Sequence, residues 1–194
     1  MAQAGSTDSG LAVESVIRHV SSLLKGRNTI DAELAEIIGR PPLTGHLGEW
    51  LAGQLFKIEL HRSATNRGWD GVFTGPEDLA GRTVNVKWYV KDEGLLDIAA
   101  KDGPDIYLVF TGPRGPATSS RGGVRPLTLE SVYLFDAVEL VHNQLARGAK
   151  LGIASSVPRP TWEAARIYPG TASSILSLTD KQRRLLELFQ GDPR

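Results

Sequence analysis

Thr83-Val84-Asn85-Val86-Lys87-Trp88-Tyr89 is rich in β-branched and aromatic residues and reads as a strand. A two-residue period sets Val84, Val86 and Trp88 on one face and Asn85 and Lys87 on the other. The apolar face can enter a core, while the polar face puts an amide beside an ammonium. An edge strand with one wet face satisfies the same alternation. Upstream, Gly68-Trp69-Asp70-Gly71-Val72-Phe73 is a second candidate strand, and residues 75–82 between the two are rich in turn formers. Together they predict a hairpin that brings Asp70 beside Asn85 and Lys87.

Working outward, residues 44–59 read as a helix with Thr44 as N-cap and Leu47, Leu51, Leu55 and Ile58 on a core stripe. Glu49 lies off that stripe, and Ala52 and Gly53 on its own face permit close approach of a neighbouring element. Glu49 therefore has two readings, a glutamate aimed at a sheet edge or a solvated helix residue. After the Lys87 strand, residues 90–102 carry Leu95, Leu96, Ile98 and Ala99 and suggest a short helix closed by Gly103-Pro104. Residues 105–111 are nearly unbroken in hydrophobicity, which fits a strand buried on both faces. Strand, helix, strand implies a crossover, hence a parallel or mixed sheet in an α/β layer architecture.

Two helices are expected ahead of this region. Residues 11–24 carry Val13, Val16, Ile17, Val20, Leu23 and Leu24 at helical spacing before Gly26, and residues 30–38 end at Gly39 and Pro41-Pro42. They predict an N-terminal hairpin serving as a packing appendage, a dimerisation surface or a substrate-gripping arm. Behind the core, residues 112–126 form a loop of Gly, Pro, Ser and Arg, with Arg114, Arg121 and Arg125 offered to phosphates or merely to solvent. Residues 128–147 read as a long helix, 151–157 as an extended segment, 161–165 as a helical turn with Trp162 as a core anchor, and 180–189 as a last helix capped by Thr179. The domain reading is an appendage over 1–42, a core over 43–170 and a docking helix within 171–194.

Composition narrows the classes of function. With 194 residues there is room for one substantial core rather than two full domains, and 41% apolar against 23% charged residues describes a folded soluble chain. No apolar run is long enough to span a membrane, and the first ten residues lack the order of a secretion signal, so a cytoplasmic location is expected. The absence of cysteine removes disulfides, thiolate zinc sites and cysteine nucleophiles. A net charge of zero argues against a basic coat, yet residues 106–170 hold seven Lys/Arg against four Asp/Glu while residues 1–60 hold five against seven. That skew points a polyanion toward the later half of the chain. His19, His46, His61 and His142 show no metal-ligand spacing, and neither a phosphate-cradling glycine motif nor a serine elbow is present. No nucleotide cofactor is expected.

The remaining chemistry centres on the opening strand. Phosphodiester hydrolysis needs a divalent cation and positive charge where negative charge builds on the phosphoryl oxygens. Asp70 is a hard oxygen donor suited to Mg²⁺, with Mn²⁺ as a substitute; Asn85 offers its side-chain carbonyl, Val86 its backbone carbonyl, and Glu49 can join directly or through water. Lys87 is placed to orient water or to stabilise developing charge.

The set Glu49, Asp70, Asn85-x-Lys87 resembles the PD-(D/E)xK nuclease superfamily over residues 44–111: a helix with its glutamate, an aspartate-bearing strand, a hairpin, an x-x-Lys strand, a helix and a buried strand. The segment around Tyr133, Trp162 and Tyr168-Pro169 is similar to small bacterial relatives of that superfamily. The resemblance implies a restriction-endonuclease-like fold, a mixed sheet flanked by helices, and a metal-dependent endonuclease acting on duplex DNA in restriction, defence or repair. It assigns catalysis to Glu49, Asp70, Asn85 and Lys87, and metal binding to Asp70, Asn85, Val86 and Glu49. Arg62, Arg67, Lys91, Arg114, Arg121, Arg125, Arg159 and Arg166 are the candidate DNA contacts, and cutting both strands motivates a homodimer. Two positions depart from the pattern: Asn85 stands where an acid is usual, and Trp69 precedes the aspartate in place of proline. A neutral amide weakens the cation site, so the implied competitor is a weakly active or inactive nucleic-acid-binding or scaffold subunit.

Overall fold

The computed structural model describes residues 6–61, 68–114, 125–170 and 172–191, with the backbone alone for residues 6–12. It divides into two units, Met1–His46 and Leu47–Arg194.

The first unit is dominated by α1 (Ser6–Ile38), one continuous helix where a two-helix hairpin was expected. Gly26 does not break it. A single glycine costs about 1 kcal/mol against alanine, and a helix of this length propagates through it. The i,i+4 pairs Glu14/Arg18 and Arg27/Asp31 bracket the position. The helix stops at Gly39, whose φ of +71° and N–H bond to Ala35 O give a left-handed C-terminal cap ahead of the prolines.

The second unit is α/β with a mixed six-stranded sheet, in the order β1 (Ile58–Leu60), β2 (Gly71–Phe73), β3 (Thr83–Tyr89), β5 (Ile106–Thr111), β6 (Ser131–Asp136), β8 (Arg166–Tyr168). β1, β2 and β3 form an antiparallel meander; β3 and β5 run parallel, with Asn85 opposite Tyr107 and Lys87 opposite Val109. β6 then pairs antiparallel with both β5 and β8. The alternation of β3 is as expected, with Val84, Val86 and Trp88 buried and Asn85, Lys87 and Tyr89 half-buried. All six residues of β5 are buried.

Each face of the sheet carries its own core. On the Val84/Val86/Trp88 face, α2 (Thr44–Phe56) and α5 (Asp180–Glu187) contribute Leu51, Ala52, Leu55, Phe56 and Leu186. On the other, α3 (Ala137–Ala146), α4 (Arg159–Ala165) and the small ladder of β4 (Leu95–Leu96) with β7 (Ser155–Ser156) cover Tyr107, Val109, Tyr133 and Phe135. Trp162 is the anchor expected of it, edge-on to Tyr133 at 4.8 Å and to Phe135 at 5.0 Å.

Three helix expectations give way to strand. α2 ends at Phe56 rather than residue 59, because Lys57 turns left-handed at φ +53° and its carbonyl accepts from Thr74 N and Oγ1, launching β1. Residues 90–102 hold β4 and irregular chain instead of a helix. Gly94 sits at φ +73°, and Tyr89 and Tyr107 hydroxyls accept the N–H groups of Asp97 and Ala99 that a helix would have used. Residues 128–147 divide into β6 and α3, since Val132-Tyr133-Leu134-Phe135 has no polar face and is buried between β5 and β8. Asp136 marks the switch, its side chain accepting from Glu139 N as the α3 N-cap.

Candidate functional site at the β3 edge

Asp70 closes the ladder where β2 ends. Its N–H donates to Val84 O at 2.8 Å, and its Oδ2 accepts the Val86 N–H at 2.7 Å. A backbone N–H lies in the plane of its sheet, so the carboxylate sits at the edge of β3, between the two faces. A strand residue sends its N–H and C=O to the same side, which puts the Val86 carbonyl on that edge too. Two glycines beside Asp70 sit where no side chain fits. A Cβ on Gly71 would stand 2.5 Å from Glu59 O, and one on Gly68, at φ +113°, would stand 2.6 Å from Asp102 O.

Asn85 and Lys87 lie on the α3/α4 face and line one open depression of ≈ 360 Å³, together with Gly68, Asp97, Ile98, Tyr107 and Gly152. The Asn85 amide nitrogen points to Gly68 O at a long 3.5 Å, which assigns the amide orientation and leaves Oδ1 turned away from that carbonyl. Asn85 Oδ1 is buried and has no hydrogen-bond donor among the described residues. A buried acceptor without a donor is costly in water-free surroundings and calls for a positively polarised partner. Lys87 is half-buried and makes no ion pair among the described residues.

Asp97 joins this group, although the sequence reading passed over it. Its Oδ1 accepts from Ala154 N at 2.7 Å, and its N–H donates to the Tyr89 hydroxyl at 3.0 Å. Burial raises the Tyr89 hydroxyl well above the usual phenol range, and the negative charge of Asp97 adds to the effect. Tyr107 is raised for the same two reasons, burial first. The signal for Asp97 was present as Leu96-Asp97-Ile98, a polar residue between two buried apolar ones at strand period.

Glu49 is half-buried on α2, whose Gly48 lies against Val86 and Trp88, a Cβ there standing 3.3 Å from Trp88 Cβ. Its helix therefore covers the face opposite Asn85 and Lys87. Asp70 is tied to β3 through the Val86 N–H, Asn85 and Lys87 share the depression on the α3/α4 face, and α2 lies on the opposite face of the strand. Among the described residues no three His, Asp or Glu side chains converge as a metal cluster. The Asp70 carboxylate, the Asn85 amide oxygen and the Val86 peptide oxygen are each hard oxygen donors of the kind Mg²⁺ and Mn²⁺ accept.

The candidate DNA contacts fall into three groups. Arg62, Arg67 and Arg121 lie outside the described residues. Arg114 and Arg125 are exposed at the two ends of the 115–124 segment, and Lys91 is half-buried just beyond β3. Arg159 and Arg166 are instead engaged within the fold: Arg159 pairs with buried Asp92 at 2.6 Å and with Glu163, and Arg166 pairs with Glu163 at 2.7 Å. Burial works against the Arg159 charge, yet Asp92 and Glu163 hold its pKa above the ordinary arginine value. A cavity of ≈ 1040 Å³ opens beside Arg114, Arg159, Asp92 and Thr128.

No family model and no curated protein matches this chain.

Proposed function

We propose that the protein is a divalent-metal-dependent nuclease with a restriction-endonuclease-like fold, hydrolysing phosphodiester bonds of DNA at the β3 edge. The observation that carries the reading is the buried Oδ1 of Asn85, which has no donor among the described residues, in the same depression as Lys87 two residues along the strand whose Val86 N–H holds Asp70. The order of helix, β1 to β3 meander and buried parallel β5 supports the fold assignment.

Asp70, Asn85 and the Val86 carbonyl would hold the cation, which supplies a polarised phosphoryl oxygen and a more acidic water. Asp70 is pre-oriented for this by the Val86 N–H, which fixes one carboxylate oxygen before any ligand arrives. Lys87 lies one strand repeat from Asn85, roughly 7 Å along β3, and donates to a phosphate oxygen as negative charge grows. Asp97 lines the same depression, its Oδ1 held by the Ala154 N–H. Arg114, Arg125 and Lys91 extend positive charge toward a DNA backbone.

Nicking of supercoiled plasmid in Mg²⁺ or Mn²⁺ is the test. Asp70→Ala and Lys87→Ala are each expected to lower the rate by at least about a hundredfold, the scale of one removed electrostatic stabiliser. Wild-type rates in both variants would overturn the assignment.

Asn85 favours a second reading, a nucleic-acid-binding or scaffold subunit with the chemistry lost, because an amide brings no charge to the cation. That reading expects DNA binding without cleavage in any divalent ion, and Asn85→Asp that gains metal affinity while the binding role stays unchanged.

A further inference from the structure

The cavity of ≈ 1040 Å³ lies where the parallel strands β3 and β5 end, and the β3 edge does not use it. Gly112 N–H donates to Tyr89 O at 2.8 Å and Asp92 N–H to Pro113 O at 3.1 Å, which laces the two carboxyl ends into one wall. The run into β6 supplies more of the lining, tied to the C-terminal segment by Leu129 N–H on Phe189 O at 2.8 Å. Sheets of this class take their ligands at the carboxyl ends of parallel strands, in pockets of about 300–1,000 Å³.

The charges in the lining are unequal in what they leave over. Asp92 is engaged on both oxygens, Oδ1 by Gly94 N–H at 3.1 Å and Oδ2 by Arg159 at 2.6 Å. Arg114 is exposed, its backbone bridged to Asp92, and it makes no ion pair among the described residues. Glu130 is half-buried and likewise unpaired among them, its N–H fixed on Thr111 O at 2.7 Å. Gln190 donates Nε2 to the Tyr168 hydroxyl at 2.8 Å, which leaves its Oε1 as an acceptor. Thr128 Oγ1 is buried with no partner among the described residues, an unmet group of the kind that a ligand or its water satisfies. One cavity therefore holds a guanidinium and a carboxylate that share the space without pairing.

We propose that this cavity binds a nucleoside monophosphate, with the phosphate on Arg114 and an amino group of the base on Glu130 and Gln190. A guanidinium matches phosphate through paired N–H donors, and the exocyclic amine of a base donates to a carboxylate. The rings of Pro113, Pro126 and Pro169 give apolar lining for sugar and base. An amino acid brings the same two kinds of group but leaves most of this volume to water. The nucleotide can come free from solution or turned out of a DNA strand, with the same chemistry at the cavity. No residue of the β3 edge takes part, so the proposal stands whether or not that edge cleaves DNA.

Calorimetric titration of the full chain in EDTA tests it apart from any metal chemistry. The probes are dAMP, dCMP, dGMP, dTMP, their nucleosides and inorganic phosphate. The tightest amino-bearing nucleotide should exceed dTMP, its own nucleoside and inorganic phosphate by at least about tenfold each, the scale of one lost charge-assisted bond. Arg114→Ala should bind that nucleotide and its nucleoside alike, and Glu130→Gln should lose the preference over dTMP. Neither should move the thermal melt. Titrating the chain into a duplex that carries 2-aminopurine separates the two sources. A fluorescence rise that the mononucleotide reverses assigns the site to a nucleotide turned out of the strand; mononucleotide binding without a rise assigns it to free nucleotide. No binding of dAMP, dCMP or dGMP, inorganic phosphate bound as tightly as any of them, or either variant keeping the wild-type preferences would each overturn the proposal.

Discussion

Asp136 does two jobs that one charge connects. It caps α3 through Glu139 N, and its carboxylate accepts from Arg82 at 2.7 Å, joining the start of α3 to the turn before β3. Burial alone would raise its pKa, but the backbone N–H and the Arg82 guanidinium hold it below the ordinary 3.8. A depressed carboxylate contributes stability that is fully present above the unfolded value and disappears as pH falls through the folded one. Asp136→Asn keeps the cap oxygen but loses the charge and the oxygen that accepts from Arg82, so it should cost about 1 kcal/mol at pH 7, and the charge-dependent part of that difference should close as pH falls below about 4. Asp136→Ala should cost about 1 kcal/mol more at both pH values, because the cap itself is lost. Urea unfolding at pH 7 and pH 3 separates the two terms. Asp136 was hidden in the sequence inside an expected helix, since nothing local told Phe135 from a helix residue until β5 and β8 supplied its strand partners.

At the scale of elements, the β1/β2 pairing holds the candidate site in place. His61 N donates to Asp70 O at 2.9 Å and Thr74 N to Lys57 O at 2.7 Å, so β1 backs the strand end that carries the carboxylate. Gly71 is the close-approach point of that pairing, where a methyl would meet Glu59 O at 2.5 Å and Ile58 Cγ2 at 2.8 Å. Backbone atoms cannot move aside as a flexible side chain can. Gly71→Ala should therefore destabilise the body by about 1–3 kcal/mol, the range of an overpacked site. It should also loosen amide protection at Asp70 and His61 before it affects β5, which hydrogen exchange resolves. The Asp70 and β3 halves of the site were legible because each had its own alternation or turn signal. β1 was not, because Ile58-Glu59-Leu60 continues the helical spacing of α2 and is separated from it only by the left-handed Lys57.

On the scale of the body as a whole, the C-terminal segment is part of the core and closes the sheet face under α2. Leu186 is fully buried among the residues of α2, β3, β5 and β6, and Gln182 ties α5 to α2 by donating to Leu55 O at 2.6 Å. Thr179 and Gln182 complete a capping box that starts α5 in the right place. Leu186→Ala leaves a cavity at the junction of those elements and should cost about 2–5 kcal/mol in chemical denaturation. The loss should appear as one cooperative transition of the body, because this residue belongs to the same core as Val86 and Phe110 rather than to a satellite.

The sequence by itself determined the alternation of β3, the two-sided burial of β5, the stripe of α2, the Thr179 and Gly39 ends and the placing of Trp162 in the core. Each of these is a local pattern that records which side of an element meets water. Only the tertiary structure decided that residues 131–136 and 166–168 are strands, that Asp97 joins Asn85 and Lys87, and that Arg159 and Arg166 pair with Asp92 and Glu163. A run buried all round carries no period to choose helix from strand, and an arginine's partner is set by elements far away in the chain. Those choices are made by the hydrogen bonds and charges of neighbours that the fold brings together.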